Sequence, residues 1–144
     1  MNRILGITLR GIEALKVEVE VEITGGLFVI SAVRESKERV RAALRSLGLP
    51  VRGRIAVNLA PADIPKEGAI LDLPIALGIA RAMGALPDVP PAIFMGELAL
   101  DGRVRSVNGV LSMAMTAAAN GFSRMIVPLE NAKEAAVVQE IEVF

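Results

Sequence analysis

The chain has 144 residues, 53% of them hydrophobic and 22% charged, with 13 Gly and 8 Pro, which fits one folded domain able to bury its own core. It contains no Cys and no His, which excludes a disulfide framework, a thiol nucleophile, a zinc finger and imidazole acid–base chemistry. Basic and acidic residues balance at 16 each, so any attraction to nucleic acid has to come from local clustering, and four Phe without Tyr or Trp leave few stacking surfaces for single strands.

The first residues do not form a signal peptide, because Arg10, Glu13 and Lys16 interrupt the apolar run. The apolar stretch from Leu73 to Ala80 stops at Arg81, well short of the ~20 residues of a membrane span. The expectation is a soluble, cytoplasmic chain with no membrane partner.

In chain order, Ile4 to Leu9 is expected to be an antiparallel strand. Val17 to Ile23 alternates apolar and acidic residues, which predicts a strand with one buried face and a solvated row of Glu18, Glu20 and Glu22. Thr24-Gly25-Gly26 would turn the chain so that Leu27 to Ile30 pairs back on it. Glu35 to Leu47 has helical spacing, with Val40, Ala43 and Leu44 inward and Gly48-Leu49-Pro50 as its stop. A buried strand at Arg54 to Leu59 leads into the loop Ala60 to Gly68, and a helix follows from Asp72 to Met83, with Asp72 as its cap and Pro74 in its first turn.

The second half predicts a strand at Ile93 to Met95 and a hairpin over Leu98 to Val104 turned by Asp101-Gly102. Leu111 to Asn120 reads as an Ala-rich helix and Met125 to Val127 as a strand. Asn131 to Gln139 reads as a helix with Asn131 and Glu134 as a capping box, and Ile141 to Phe144 as a last strand fragment. Strands first and helix–strand alternation afterwards give an α+β (mixed α/β) class in a single domain, 1–144. The strand-like end at Ile141 to Phe144 suits a natural terminus and a domain of a longer protein alike.

Three segments carry candidate chemistry. Lys66, in a loop running towards a helix start, suits an anion, although two prolines could simply stiffen the connection. The chain has no GxxxxGK[ST] phosphate loop. Glu97 and Asp101 offer carboxylates for Mg²⁺ or acid–base work, against the plainer reading of hairpin-turn chemistry. From Arg34 to Arg54 there are seven basic residues and only two acidic ones. Arg34, Lys37, Arg41 and Arg45 follow helical spacing away from Val40, Ala43 and Leu44, a stripe suited to phosphates, to an acidic partner surface or to plain solvation.

Three motif blocks, in this order, carry a resemblance. They are Asn58-Leu59-Ala60-Pro61-Ala62-Asp63-Ile64-Pro65-Lys66-Glu67-Gly68 with Asp72-Leu73-Pro74 behind it, Gly96-Glu97-Leu98-Ala99-Leu100-Asp101-Gly102-Arg103-Val104-Arg105, and Ile126-Val127-Pro128 followed by Asn131 and Glu134-Ala135. The chain closely resembles, over almost its whole length, the N-terminal domain of the magnesium-chelatase-like AAA+ ATPases of the competence protein ComM (YifB) family. Glu35 to Ala43 fits the first helix of the same family.

The resemblance implies a Lon-protease-like domain with the fold of the second domain of ribosomal protein S5. It implies that a hexameric ATPase module, with Walker motifs and bound ATP and Mg²⁺, lies outside this chain. The family is associated with natural transformation and branch migration of recombining DNA. Lon-type peptidases place a serine nucleophile after the P-K-D-G loop and a lysine base in the helix after the G-E hairpin, and both are needed. The corresponding positions here hold Ile70 and Leu111, so the expectation is no peptidase activity, with both side chains turned over to core packing.

Together these readings give a non-catalytic domain without a metal or cofactor of its own, whose partners are its ATPase module, neighbouring subunits and DNA. The residues assigned to DNA are Arg39, Arg41, Arg45, Arg52, Arg54 and Lys66. Four such phosphate contacts would give a log–log salt slope of about −3.6. The alternatives are a pure oligomerisation module and a partner in chelatase-type metal insertion, the latter relying on Glu97, Asp101 and scattered carboxylates.

Overall fold

The structure, a computed structural model, describes residues 3–10, 13–24, 34–49, 51, 53–61, 69–88 and 91–144. The expected strand at Leu27 to Ile30, the Lys66 loop and Arg52 lie outside the described residues.

Strands β1 (Arg3–Arg10) and β2 (Glu13–Thr24) pair antiparallel from Arg3↔Glu20 to Arg10↔Glu13. β3 (Arg54–Ala60) runs antiparallel along the other side of β2, with Val21 opposite Val57. Beyond β1 the sheet becomes parallel, through β4 (Ile93–Phe94), β7 (Arg124–Ile126) and β8 (Glu142–Val143). The order is β3-β2-β1-β4-β7-β8, a mixed sheet whose change of direction at β1 divides the antiparallel from the parallel half. A separate two-stranded hairpin joins β5 (Glu97–Leu98) to β6 (Val104–Arg105). Its turn is closed by the Gly102 N–H donating to the Ala99 carbonyl at 3.0 Å, with Gly102 at φ 93°.

Helices α1 (Arg34–Ser46) and α2 (Asp72–Ala82) cover one face of the sheet. The period-two pattern of β2 puts Val17, Val19 and Val21 against Ile75 and Ile79, one turn apart on α2, and against Val40, Ala43 and Leu44 of α1. Full burial of each such aliphatic side chain contributes about 1.5–3 kcal/mol. Gly78 lets α2 approach β2, since a Cβ there would lie 2.8 Å from the Val21 Cγ2. Helix α3 (Val110–Ala119) covers the opposite face, where Met113, Ala114 and Ala117 meet Ile7, Ile93 and Met125. Ile93 and Phe94 are consecutive and enter different clusters, so β4 separates the two halves of the core. The single core expected from chain length is therefore two clusters with the sheet between them.

Two expected caps are absent. Leu71, not Asp72, sits at the α2 N-cap, and the Asp72 carboxylate is used elsewhere. Asn131 ends a 3-10 turn at Leu129–Asn131 and precedes the one-turn helix α4 (Ala132–Ala135) without a capping bond, and the helix expected to run to Gln139 stops at Ala135. The Asn131 amide instead forms a reciprocal pair with the Val107 backbone, at 2.9 and 3.0 Å. The carboxylate of Glu134 accepts the Leu111 N–H at 3.0 Å, satisfying one of the open donors at the start of α3.

Candidate functional site

Asp72 is the best-connected charged group described. It is fully buried, and four hydrogen bonds converge on it. Ser36 Oγ donates to Oδ1 at 2.5 Å. The Arg39 guanidinium donates twice, from Nε to Oδ2 at 2.6 Å and from Nη2 to Oδ1 at 3.2 Å. The backbone N–H of Leu98 donates to Oδ2 at 3.1 Å. One carboxylate thus ties α1, α2 and β5 together, with its charge neutralised by a two-point arginine fork.

That network reassigns Arg39. Arg39 was among the basic residues expected to meet DNA, whereas its side chain is three-quarters covered and engaged inward. Lys37, Arg41 and Arg45 follow one another at four-residue steps around the other side of the helix. Arg41 and Arg45 are exposed, and Lys37 is half-buried. Arg54 is exposed as well but lies on another surface. Ile55, Val57 and Leu59 of β3 enter the cluster beneath α1, so the alternating Arg54 side chain projects to the opposite face of the sheet. Of the six residues assigned to DNA, the structure brings two exposed ones together, Arg41 and Arg45.

The positions matching the Lon dyad have a different setting. Ile70 lines a cleft of about 230 Å³ together with Glu97, Ser106 and Asn108. The cleft is held partly by backbone: the Gly96 N–H donates to the Ile70 carbonyl and the Leu73 N–H to the Gly96 carbonyl, both at 3.1 Å. Leu111 stands in the first turn of α3 with 37% of its surface exposed, so the expectation that it has become core packing is wrong. Ile70 is half-buried against both core clusters, as that expectation requires. Asp101 belongs to the hairpin turn. The Arg103 backbone N–H donates to its carboxylate at 3.1 Å, and that bond, with the Arg103 guanidinium at 2.9 Å, holds its pKa below the ordinary value. Among the described residues no group of three or more acidic side chains is placed to hold a metal ion. No helix there is long and apolar enough to cross a membrane.

Sequence reasoning missed the Asp72 hub. The signal available was a buried-looking acid on the apolar side of α2, read as a cap because it opens the helix. Its partners Ser36 and Arg39 are more than 30 residues away in sequence, beyond any local pattern.

Comparison with known proteins gives a consistent picture. An uncharacterized protein of Mycobacterium tuberculosis is 35% identical over 99% of this chain and 30% of its own length. Competence protein ComM of Haemophilus influenzae is 40% identical over 90% of this chain and 27% of its own. Lon protease 2 of Bacillus subtilis is 30% identical over 78% of this chain and 20% of its own, in line with the Lon-like fold expected from the motif blocks. The chain spans less than a third of the length of these relatives. The family model for subunit ChlI of Mg-chelatase matches residues 17–131, and the chain belongs to that Mg-chelatase-like family.

Proposed function

We propose that this chain is the non-catalytic N-terminal domain of a ComM-like AAA+ ATPase and that the outer side of α1 contacts the phosphate backbone of DNA. One observation carries the reading: Arg41 and Arg45 are exposed one turn apart on the side of α1 turned away from the core, while Arg39 and Ser36 pin the other side to Asp72. A rigid helix presenting two guanidiniums meets phosphates at little further ordering cost. The likeness to ComM supports a place in natural transformation and DNA recombination for the whole protein, with ATP and Mg²⁺ held by an ATPase module outside this chain.

The domain is non-catalytic on this reading because the dyad positions hold Ile70 and Leu111. Neither aliphatic side chain can attack a carbonyl or take a proton. The test is binding of fluorescent branched and single-stranded DNA across a salt series. Two phosphate contacts predict a log–log slope of about −1.8, and the domain carrying Arg41→Glu and Arg45→Glu should not bind. A salt-independent affinity, or full binding by that variant, overturns the reading.

A further inference from the structure

The cleft of about 230 Å³ beside β5 has walls that are fixed without a ligand. On one side the Gly96 N–H donates to the Ile70 carbonyl at 3.1 Å, which anchors Ile70 next to Glu97. On the other side, segment 106–109 belongs to no helix or strand, yet the buried Asn131 side chain grips both backbone groups of Val107, at 2.9 and 3.0 Å. Gly109 follows at φ 80°, where a Cβ would lie 2.5 Å from the Leu9 Cδ1, so glycine lets the segment close down on Leu9. Pockets preformed in this way are the kind that receive small ligands.

The lining sets the chemistry. Leu9, Ile70 and Val107 supply aliphatic walls, while Glu97, Ser106 and Asn108 bring a carboxylate, a hydroxyl and an amide. Glu97 is half-buried and makes no hydrogen bond or ion pair among the described residues. Arg105 stands directly across the hairpin from it, yet its exposed side chain does not reach the carboxylate. A carboxylate partly withdrawn from water and left without a partner favours a cation. A divalent metal ion fits poorly, since among the described residues no group of three or more acidic side chains is placed to hold one. An ammonium has three donors and no acceptor, which matches oxygen acceptors from three side chains; a planar guanidinium would leave two of its five donors over.

We infer that this cleft binds a primary ammonium carried on a short aliphatic stem, with Glu97 as its counter-ion, Ser106 and Asn108 as further acceptors, and the aliphatic walls around the methylenes. A cavity of ~150 Å³ already accepts a benzene ring, so a four-carbon stem has room here. That chemistry is shared by a free diamine and by the lysine side chain of another protein. Asn131 is a positioning residue in this account, holding the wall that carries Ser106 and Asn108. The inference is independent of the DNA reading, because every residue it uses lies outside α1.

The experiment is a nuclear magnetic resonance titration of this chain that follows the backbone amides of Glu97, Leu98, Ser106 and Val107. The probes are 1,4-diaminobutane and a blocked tripeptide with a central lysine, and butyrate and n-butanol serve as controls for charge and stem. An amine probe should shift those amides to saturation, and neither control should. Saturation by the diamine alone assigns the site to free amines, and saturation by the peptide assigns it to a lysine of a partner. Glu97→Gln should raise the dissociation constant at least about tenfold, the loss of one charge-assisted contact. Its thermal melt should match the parent, because the Glu97 side chain has no bond among the described residues to lose. Ser106→Ala, at an exposed position, should raise the constant about threefold and carries the test if Glu97→Gln does not fold. No saturable shift with either amine, butyrate binding as tightly as the amines, or a folded Glu97→Gln with the parent affinity would each overturn the inference.

Discussion

Helix α1 has two sides, and its arginines do different work on each. On the inner side, Arg39 and Ser36 converge on a carboxylate with no access to water, and the guanidinium acts as a fastener between α1, α2 and the β5–β6 hairpin. On the outer side, Arg41 and Arg45 are exposed, where a charge contributes little to stability. The lesson is that a run of basic residues is not one feature. Two residues along a helix are enough to move a guanidinium from a buried pair to the surface.

The comparison breaks most severely at Asp72. Asp72→Ala leaves the Arg39 guanidinium partly buried without its counter-ion and removes the acceptor of Ser36 and of the Leu98 N–H; it should cost about 3–5 kcal/mol in chemical denaturation. Ser36→Ala removes a single buried hydroxyl donor and should cost about 1 kcal/mol in the same experiment. Arg41→Glu with Arg45→Glu should change stability by less than ~0.5 kcal/mol while abolishing DNA binding, separating the outer side from the inner one.

The smallest effect belongs to Asp101, which forms its pair wholly in solvent. Its folded-state pKa is lowered by the Arg103 N–H and guanidinium. The stabilisation is therefore present above the ordinary carboxylate pKa and disappears as pH falls through the lowered value. Asp101→Asn should therefore lower the melting temperature slightly at neutral pH and leave it unchanged below the lowered pKa, which flattens the acid limb of the profile.

Much of the fold was legible because it is written locally. The alternation from Val17 to Ile23, the Asp101-Gly102 turn and the apolar spacing of Ile75 and Ile79 each specify their element within a few residues. The misread residues are those whose partners are remote. Asp72 and Asn131 have the side chains of caps and stand at helix starts, yet tertiary contacts with Arg39 and with the Val107 backbone claim them instead. Arg54 was grouped with α1 by proximity in sequence, whereas the pleat of β3 turns it to the far face of the sheet. The reading of Ile70 and Leu111 as replaced dyad positions rests on the resemblance to Lon-type peptidases. The exposure of Leu111 was not legible, because it depends on how α3 sits over the parallel half of the sheet.

The most direct test of the central claim is DNA binding measured by fluorescence anisotropy at low salt for three chains: the parent, the variant carrying Arg41→Glu and Arg45→Glu, and Arg54→Glu. The account predicts that binding is lost in the double variant and kept by Arg54→Glu, since only the first alters the outer side of α1. Equal loss in both, or binding retained by the double variant, would contradict it.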